Sequence, residues 1–521
     1  MSTLFEALWN GDDDGVVRAL RDGADPETRE DDETALYRAA VGNQPVAVRL
    51  LLAAGADPAR RGGADDADLP LCGAACGGHA EVVRALLAAG ADPDQEEGYG
   101  FTALAWAIRL GHTEVVRELL EAGAAPDRPG PDGLAPLVAA ARRGSTSCVR
   151  ALLEHGAGSR AEALHEARRW IGVDMAAVLR RGLVEGGGAG DTYEAVVRRV
   201  PEDGGVTVVV ELLREDGAPT RGDERQTGHA AIATLLEGAL GIRTPHEELA
   251  GRALRCGDPA QDDWTTAVAA LTARPNATVF AAATTWCSSP DPLRRALGAH
   301  VLGILPGFTA SAVPVLRGLA AEVGAGLREP GAAEPGGASR EPGAAEPGGT
   351  SREPAAVALR EPALSVVVAL GRCADGSAVP ELLGLAGHPE GEVRRQVAAS
   401  LAGIVPAGHR RAVAALVGLS TDQDARVRDW ATLALAELPD DTPPVREALA
   451  ARLADPDPET AAEAARGLAL RQDPRAVEAL ARILADGDPE GAARETALAA
   501  LEHVREPRLR TRLEWTPPRR G

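Results

Sequence analysis

The chain has 521 residues, of which 45% are hydrophobic but only 3% aromatic, so any core must consist mainly of Ala, Leu and Val. Its net charge of -22 disfavours general nucleic-acid binding, because binding to phosphates requires a surplus of cations. The sequence contains no Lys, so Arg is the only strong cation that it uses. The acidic charge fits a soluble protein and favours a basic protein as its partner.

Cysteine usage and apolar runs predict a cytoplasmic protein. The six Cys are scattered through a long chain, which indicates a reducing compartment rather than a disulfide framework. The N-terminal segment MSTLFEALWNGDDD has no basic region followed by an apolar run, so we expect no signal peptide. No apolar stretch approaches about 18 residues, the length that a spanning helix needs, so we expect no membrane contact.

The first third of the chain repeats with a period near 33. Within residues 100–126, apolar positions at helical spacing predict helices over 102–110 and 113–122, joined by a turn at Gly111-His112. One such pair cannot bury its own apolar face and needs stacked copies. The helix-ending glycine, which adopts a left-handed conformation, recurs in steps of 32, 35, 33 and 33 at Gly23, Gly55, Gly90, Gly123 and Gly156.

These copies resemble the ankyrin-repeat family. Its Thr-Pro-Leu-His-x-Ala motif is matched at residues 34–39 and 102–107 and more loosely at 69–74, and its Gly-His turn at 78–79 and 111–112. A sixth, weaker copy is indicated from Ala163 to about Leu183. The resemblance implies a solenoid of antiparallel helix pairs over residues 1–184, which binds partners through its loop tips and inner helices.

Alignment of the copies places large and cationic side chains on the inner helices. Trp and Arg dominate binding hot spots because they combine a large contact area with directed hydrogen bonds. The alternative is that Arg only solubilises Ala-rich helices and that Trp fills the stack. The loops between copies are acidic, as at residues 30–33 and 65–68. The candidate binding residues of the inner helices are Trp9, Arg38, Trp106, Arg109, Arg142 and Arg143.

Residues 185–243 lose the period and are interpreted as a degenerate linking segment. Two β-branched runs flank PEDGG at residues 201–205, which predicts a small β-hairpin. A further degraded helix pair is the alternative, because VVVELLREDGA is similar to VVRELLEAGA. Gly228-His229, followed by apolar residues at helical spacing, predicts the second helix of one more degenerate copy.

A different period starts near residue 244. The last leucines of successive second helices are separated by 31, 68, 31, 34, 33 and 33 residues, at Leu271, Leu302, Leu370, Leu401, Leu435, Leu468 and Leu501. The long step contains an insertion at about 324–358, in which REPGAAEPGG occurs twice. Repeated Pro and Gly with few apolar residues predict an unfolded loop within one helix pair.

These later units resemble HEAT repeats, specifically the short bacterial kind related to phycobilisome-lyase repeats, as at residues 392–398 and 426–431. The resemblance implies a second solenoid over 244–521 that binds partners along its concave face. Candidate residues on that face are Arg394 and Arg428, although a solvated helix face without a partner is the alternative. The predicted fold class is therefore all-α, with tandem solenoids and one small β-hairpin.

We find no catalytic constellation in the sequence. Cys72, Cys76 and His79 have the spacing of metal ligands, but two of them occupy regular positions of the repeat and no fourth ligand is evident. We therefore predict no metal, no cofactor and no catalytic residue. The predicted function is a protein–protein interaction scaffold or adaptor. The alternatives are a HEAT-type enzyme or chaperone-like lyase, and an immunity protein that antagonises a basic toxin.

Overall fold

The computed structural model describes residues 3–185, 194–202, 204–214, 217–327, 354–486, 488 and 490–516. Residues 328–353, the main part of the predicted insertion, lie outside the described residues. The chain divides into two compact units, Met1–Ala270 and Leu271–Gly521. The described part is mostly helical and contains a small three-stranded antiparallel sheet in its middle segment, which confirms the predicted fold class.

The first unit begins with five stacked helix pairs. A two-residue β-hairpin, β1 (Arg29–Glu30) with β2 (Glu33–Thr34), lies in the loop between the first two pairs. The paired helices are α1 (Thr3–Asn10), α2 (Asp13–Arg21), α3 (Ala35–Val41), α4 (Pro45–Ala53), α5 (Pro70–Cys76), α6 (Ala80–Ala88), α7 (Ala103–Leu110), α8 (Thr113–Glu121), α9 (Pro136–Arg143) and α10 (Thr146–Glu154).

Local signals set the bounds of these pairs. The five predicted glycines all have positive φ, between 82° and 102°, just beyond the second helix of each pair. The hydroxyl of Thr102 accepts a hydrogen bond from the backbone N–H of Ala105 and so caps α7. Acidic loop residues join consecutive pairs, since Asp94 accepts a hydrogen bond from the N–H of Ala125 and Asp127 from that of Gly158. Part of the acidic loop composition is therefore structural.

The sixth pair is interrupted. Its first helix, α11 (Arg160–Trp170), is followed by α12 (Met175–Glu185), three strands and α13 (His229–Ala239). Helix α11 packs against α9 and α13, whereas α12 packs on the strands. Ile232 and Leu236 of α13 join the same hydrophobic core as the first five pairs. The second helix of the sixth copy is therefore α13, and the predicted copy ending near Leu183 paired α11 with the wrong helix.

The turn histidines show the same register. The Nε2 atoms of His79 and His112 lie 3.1 and 3.0 Å from the carbonyl oxygens of Val41 and Cys76, near the end of the preceding first helix. His229 Nε2 lies 3.4 Å from the equivalent oxygen of Arg142. Burial lowers the pKa of His229 to about 4, so its ring is neutral at pH 7. Residues 171–227 are thus inserted at the turn of the sixth pair.

The inserted segment forms a three-stranded antiparallel sheet of order β3 (Glu194–Glu202), β4 (Gly205–Leu213), β5 (Pro219–Gln226). The predicted hairpin corresponds to β3 and β4, while β5 was not predicted. Val208 and Val210 of β4 pack against Met175 and Leu179 of α12. Since successive side chains alternate in direction, Val209 points to the opposite face of the sheet.

The first unit ends with α14 (His246–Cys256) and most of α15 (Asp262–Thr272). Arg252 of α14 donates two hydrogen bonds of 2.7 Å to the buried carboxylate of Glu237 on α13. Arg168 of α11 donates to the same carboxylate at 2.8 Å. One carboxylate thus connects the two helices of the sixth pair with α14.

The second unit is a stack of helix pairs in which α17, α19, α21, α23, α25 and α27 pack in sequence. All seven leucines of the predicted ladder are buried, and five of them lie on α17, α19, α21, α23 and α25. Its helices are α16 (Ala277–Cys287), α17 (Pro292–Ile304), α18 (Thr309–Gly326), α19 (Pro354–Cys373), α20 (Val379–Gly384), α21 (Gly391–Leu401), α22 (Arg410–Leu419), α23 (Ala425–Glu437), α24 (Pro443–Arg452), α25 (Pro458–Leu470), α26 (Arg475–Asp486), α27 (Ala492–Ala500) and α28 (Pro507–Glu514).

Candidate protein-binding cleft

A cleft of about 660 Å³ lies between the inner helices of the first unit and the inserted sheet. Helices α7 and α9 form its floor, the loop between the fourth and fifth pairs forms one side, and β4 and β5 form the other. The cleft combines an apolar floor with charged rims. The residues that line it include Phe101, Ala105, Ile108, Arg109, Leu134, Ala139, Arg142, Arg143, Val209, Glu211, Asp223, Glu224 and Arg225.

Arg143 joins the sheet to the helix stack. Its guanidinium donates to the backbone oxygen of Glu224 at 2.6 Å and to the carboxylate of the same residue at 2.5 Å. It also donates to the backbone oxygen of Leu110 at 3.1 Å, at the end of α7. Because Arg143 is only 9% exposed, its main role is to hold β5 against α7 and α9. It was predicted as a binding residue, but its hydrogen bonds lie within the chain.

Arg142 also has an internal partner. Its Nε donates at 2.9 Å to Glu166 on α11, a carboxylate that further accepts hydrogen bonds from Arg169 and Trp170. Burial alone would raise the pKa of Glu166, but the hydrogen bonds from Trp170 and Arg142 lower it. The guanidinium of Arg225 lies over the Trp170 ring, 4.5 Å from its centroid. Arg142 therefore lines the cleft as one member of a paired cluster.

Arg109 is the exposed cation of the cleft floor. Its guanidinium lies 5.7 Å from the centroid of the Phe101 ring, and it forms no ion pair within the described residues. Arg128, on the same side of the cleft, is instead paired with Glu96 at 2.9 Å. Of the predicted inner-helix arginines that line the cleft, Arg109 is thus the one available to an incoming group.

Trp106 is connected to Arg109 through the ring of Phe101. Its ring stacks on Phe101 with centroids 4.2 Å apart, and its Nε1 donates to the Glu97 carboxylate at 2.8 Å. Burial raises the pKa of Glu97, although the hydrogen bond from Trp106 acts in the opposite direction. Trp106 therefore positions Phe101, and through it Arg109, and does not itself line the cleft.

Comparison with family models places both repeat types in this chain. The model of ankyrin repeats (3 copies) matches residues 4–97 and 60–129, and that of the single ankyrin repeat matches 132–161. The model of HEAT repeats matches residues 360–436 and 446–515. The chain combines ankyrin repeats with HEAT repeats. The family models therefore confirm the predicted ankyrin repeats within residues 4–161 and the predicted C-terminal HEAT repeats within residues 360–515.

Among solved structures, the chain is similar to an ankyrin repeat domain from Acinetobacter baumannii AYE. The two are 30% identical over 30% of this chain and 81% of that domain, with a TM-score of 0.29. No curated protein matches the chain. The identification of the repeats therefore rests on the family models.

Trp9 and Arg38 lie at the other end of the ankyrin stack, outside the cleft lining. The guanidinium of Arg38 lies 3.5 Å from the centroid of the Trp9 ring, a cation–π contact, and also approaches Glu33 at 3.8 Å. Trp9 remains 54% exposed. The structure thus brings Arg109, Arg142 and Arg143 to one cleft and places Trp9 with Arg38 elsewhere.

The two HEAT candidates have internal partners. Arg394 donates to both carboxylate oxygens of Asp422 at 2.8 and 2.9 Å, and Arg428 makes the same bidentate pair with Asp455 at 2.9 Å. Each pair joins one helix to the next repeat, about 27 residues further along the chain. Both arginines are largely buried, so we do not retain them in the proposed binding surface.

The suspected metal-ligand spacing has a structural explanation. The Cys72 thiol donates to the carbonyl oxygen of Phe101 at 3.8 Å, and His79 contacts the preceding repeat as a turn histidine. Among the described residues, no three His, Cys, Asp or Glu side chains converge as metal ligands. None of the helices in the described ranges combines the length and apolar composition needed to cross a membrane.

Sequence reasoning missed the sheet side of the cleft. Val209, Glu211, Glu224 and Arg225 all lie in the insertion, at positions with no counterpart in an ankyrin repeat. The available signal was the strand pattern of β4, but β5 reads PTRGDERQ and has neither alternation nor β-branched runs. Its pairing with β4 depends on tertiary context and could not be derived from its composition.

Proposed function

We propose that this chain is a protein-binding scaffold whose first unit, named the ankyrin unit after its repeats, holds an extended segment of a partner protein in the cleft. The second unit is correspondingly named the HEAT unit. Ankyrin and HEAT repeats generally act as protein-interaction modules rather than enzymes, so the proposal is one of binding without catalysis. The observation that carries it is the cleft itself, in which an apolar floor lies beside Arg109, an exposed arginine that forms no ion pair within the described residues. We further propose that the protein acts in the cytoplasm.

The chemistry of the cleft suggests what the segment carries. Ala105, Leu134 and Ala139 offer small apolar contacts that fit an extended backbone with short apolar side chains. Arg109 offers a planar donor group suited to a carboxylate or a backbone carbonyl of the partner. Because Phe101 lies beneath its guanidinium, Arg109 is partly pre-oriented, which lowers the entropy cost of binding.

The test compares two charge reversals in the full chain. Arg109→Glu alters the cleft, and Arg117→Glu makes the same change at an exposed position of α8, outside the cleft lining. Partners are captured from a lysate with the unaltered chain, and the purified partner is then titrated by calorimetry. We expect Arg109→Glu to weaken binding by about 2 kcal/mol, the scale of a hot spot, and Arg117→Glu to leave it unchanged. Equal affinity of both variants would refute the cleft as the site.

The acidic tips of the inter-repeat loops favour a second candidate function, that of an antagonist of a basic protein. Asp31, Asp32, Asp65 and Asp66 are exposed at the tips of the first two inter-repeat loops. The same calorimetric titration separates the two candidates. Binding that is insensitive to Arg109→Glu and is lost when these four aspartates are changed to Asn would favour the antagonist.

A further inference from the structure

The inserted sheet has one open edge. Strand β3 pairs with β4 along residues 194–202, and no other strand among the described residues pairs with its second edge. Two of its apolar side chains are exposed, Val197 at 39% and Val200 at 46%. An edge of this length with exposed valines is a template for pairing with another chain.

The hydrogen-bond pattern of the sheet shows which backbone groups of β3 point outward. In β5, the carbonyl of Glu224 accepts from Arg143 and its N–H donates to the side chain of Asp223, so neither group pairs with Val209 opposite. The backbone groups of Val209 therefore face β3 and pair with Arg198. Since direction alternates along a strand, the N–H and C=O of Ala195, Val197 and Arg199 face the open edge.

The two edges of the sheet differ in how they are covered. At β5, Arg143 occupies the carbonyl of Glu224, and a Cβ at Gly144 would lie only 2.1 Å from the backbone oxygen of Gln226, so α9 packs tightly on this edge. At β3, the open edge includes Pro201, which lacks an N–H and so leaves no donor unpaired there. Pairing along β3 is therefore available upstream of Pro201.

We propose that β3 pairs with β3 of a second copy of this chain, antiparallel and across a two-fold axis. Charge complementarity selects the register in which Val196 faces its own symmetry mate, because Glu194 then lies opposite Arg198 of the second copy, twice by symmetry. Ala195 and Val197 then form hydrogen-bonded pairs through their outward groups. Moving the two-fold axis by four residues, from Val196 to Val200, gives a second charge-matched arrangement, but it requires the N–H that Pro201 lacks.

Intermediate registers are less favourable. The one centred on Arg198 places this arginine against its own symmetry mate and Glu194 against Glu202. The one centred on Val197 makes no ion pair. In the proposed register the side chains of residues 194, 196 and 198 lie on the cleft-facing side of the sheet, together with Val209. The dimer would therefore continue the sheet wall of the cleft into a six-stranded sheet.

The test measures the mass of the full chain by sedimentation over a wide range of concentration. We expect a reversible monomer–dimer equilibrium, and we expect Glu194→Arg to weaken it about tenfold because it opposes Arg198 in both halves of the interface. The double variant Glu194→Arg with Arg198→Glu exchanges both signs and should restore dimerisation. Arg198 also pairs with Glu211 in its own sheet, so recovery by the double variant separates pairing between copies from a defect within one copy.

A second variant addresses the backbone. Val197→Pro removes an N–H that faces the open edge and leaves the bonds to β4 in place, so it should abolish the dimer while the circular dichroism spectrum of the chain stays the same. A chain that remains monomeric at every concentration overturns the proposal. So does a dimer that the charge reversal leaves intact, since its contacts would then lie elsewhere.

Discussion

Glu237 offers the sharpest test of how the sixth ankyrin repeat is held together. Its carboxylate is 1% exposed and accepts hydrogen bonds from Arg252, Arg168 and Thr244. Burial alone would raise the pKa of this carboxyl, but the hydrogen bonds from these side chains lower it to about 2. The native state therefore favours the charged form, and we predict that Glu237→Gln destabilises the ankyrin unit.

Two separate estimates of the unfolding free energy that Glu237→Gln removes give a similar magnitude. Lowering the pKa from 4.5 to about 2 corresponds to about 3 kcal/mol, at about 1.4 kcal/mol per pKa unit. Removing one partner of a buried ion pair costs about 3–5 kcal/mol, because the other charge stays buried without its partner. Here that charge is Arg252, which is only 3% exposed. We expect Glu237→Gln to lower the free energy of unfolding by about 3 kcal/mol at pH 7.

The assay must report on this unit alone, because two units in one chain can unfold separately. Hydrogen exchange of the segments 160–170 and 229–239 gives the local opening free energy. Glu154→Gln is the matched control, since Glu154 is exposed and forms no ion pair within the described residues. The stabilisation is complete above the unfolded pKa near 4.5 and is lost as pH falls toward 2, so the difference between variants should narrow on acidification. Equal exchange of wild type and Glu237→Gln at pH 7 would refute this reasoning.

Three further predictions concern the same chain. Gly144→Ala should lower the free energy of unfolding clearly more than Gly123→Ala does, as measured by urea unfolding followed by circular dichroism. Both glycines have positive φ, so each substitution costs about 1 kcal/mol of backbone strain. Only at Gly144 does the new methyl group also meet a strand oxygen, at 2.1 Å. Arg428→Ala should lower the stability of the HEAT unit by about 2 kcal/mol, measured by hydrogen exchange of 425–437, whereas the exposed Arg426→Ala should change it by less than about 0.5 kcal/mol. Asp263→Asn should stabilise the ankyrin unit at pH 8 but not at pH 4, as measured by thermal melts. Burial raises the pKa of Asp263 to about 6, so the native state loses stability as the pH rises from about 4 to 6. Equal stability of the unaltered chain and Asp263→Asn at pH 8 would contradict this.

The sequence allowed the repeats to be predicted because their signals are local. A helix-ending glycine such as Gly123 and a capping residue such as Thr102 act within one turn of the chain. A short motif is therefore enough to determine where a helix begins or ends. Repetition then made a weak motif specific. The leucine ladder of the second unit was readable for the same reason, since each leucine is buried by its neighbouring repeats.

The sixth repeat and the cleft depended on contacts that no local motif encodes. Helix α12 follows α11 at the spacing of a second helix, yet α13 takes that place because its apolar face completes the core. The internal partners of the candidate arginines were missed for a related reason. Periodicity places Arg143 on the inner helix, but its partner Glu224 is 81 residues away, in a strand whose pairing the sequence did not indicate. Whether an arginine is free or paired is a tertiary property.

The position of the insertion explains how one stack can carry both a regular core and a special site. The ends of α11 and α13 are brought together at the Gly228-His229 turn, as in every other repeat, so the stack needs no rearrangement to hold the extra chain between them. Loop closure costs little more for a long segment than for a short one. The segment emerges beside the inner helices, where Arg143 fixes β5 at the edge of the groove. An open groove is thereby converted into a walled cleft, and its specificity can change through the insertion while the repeats stay constant.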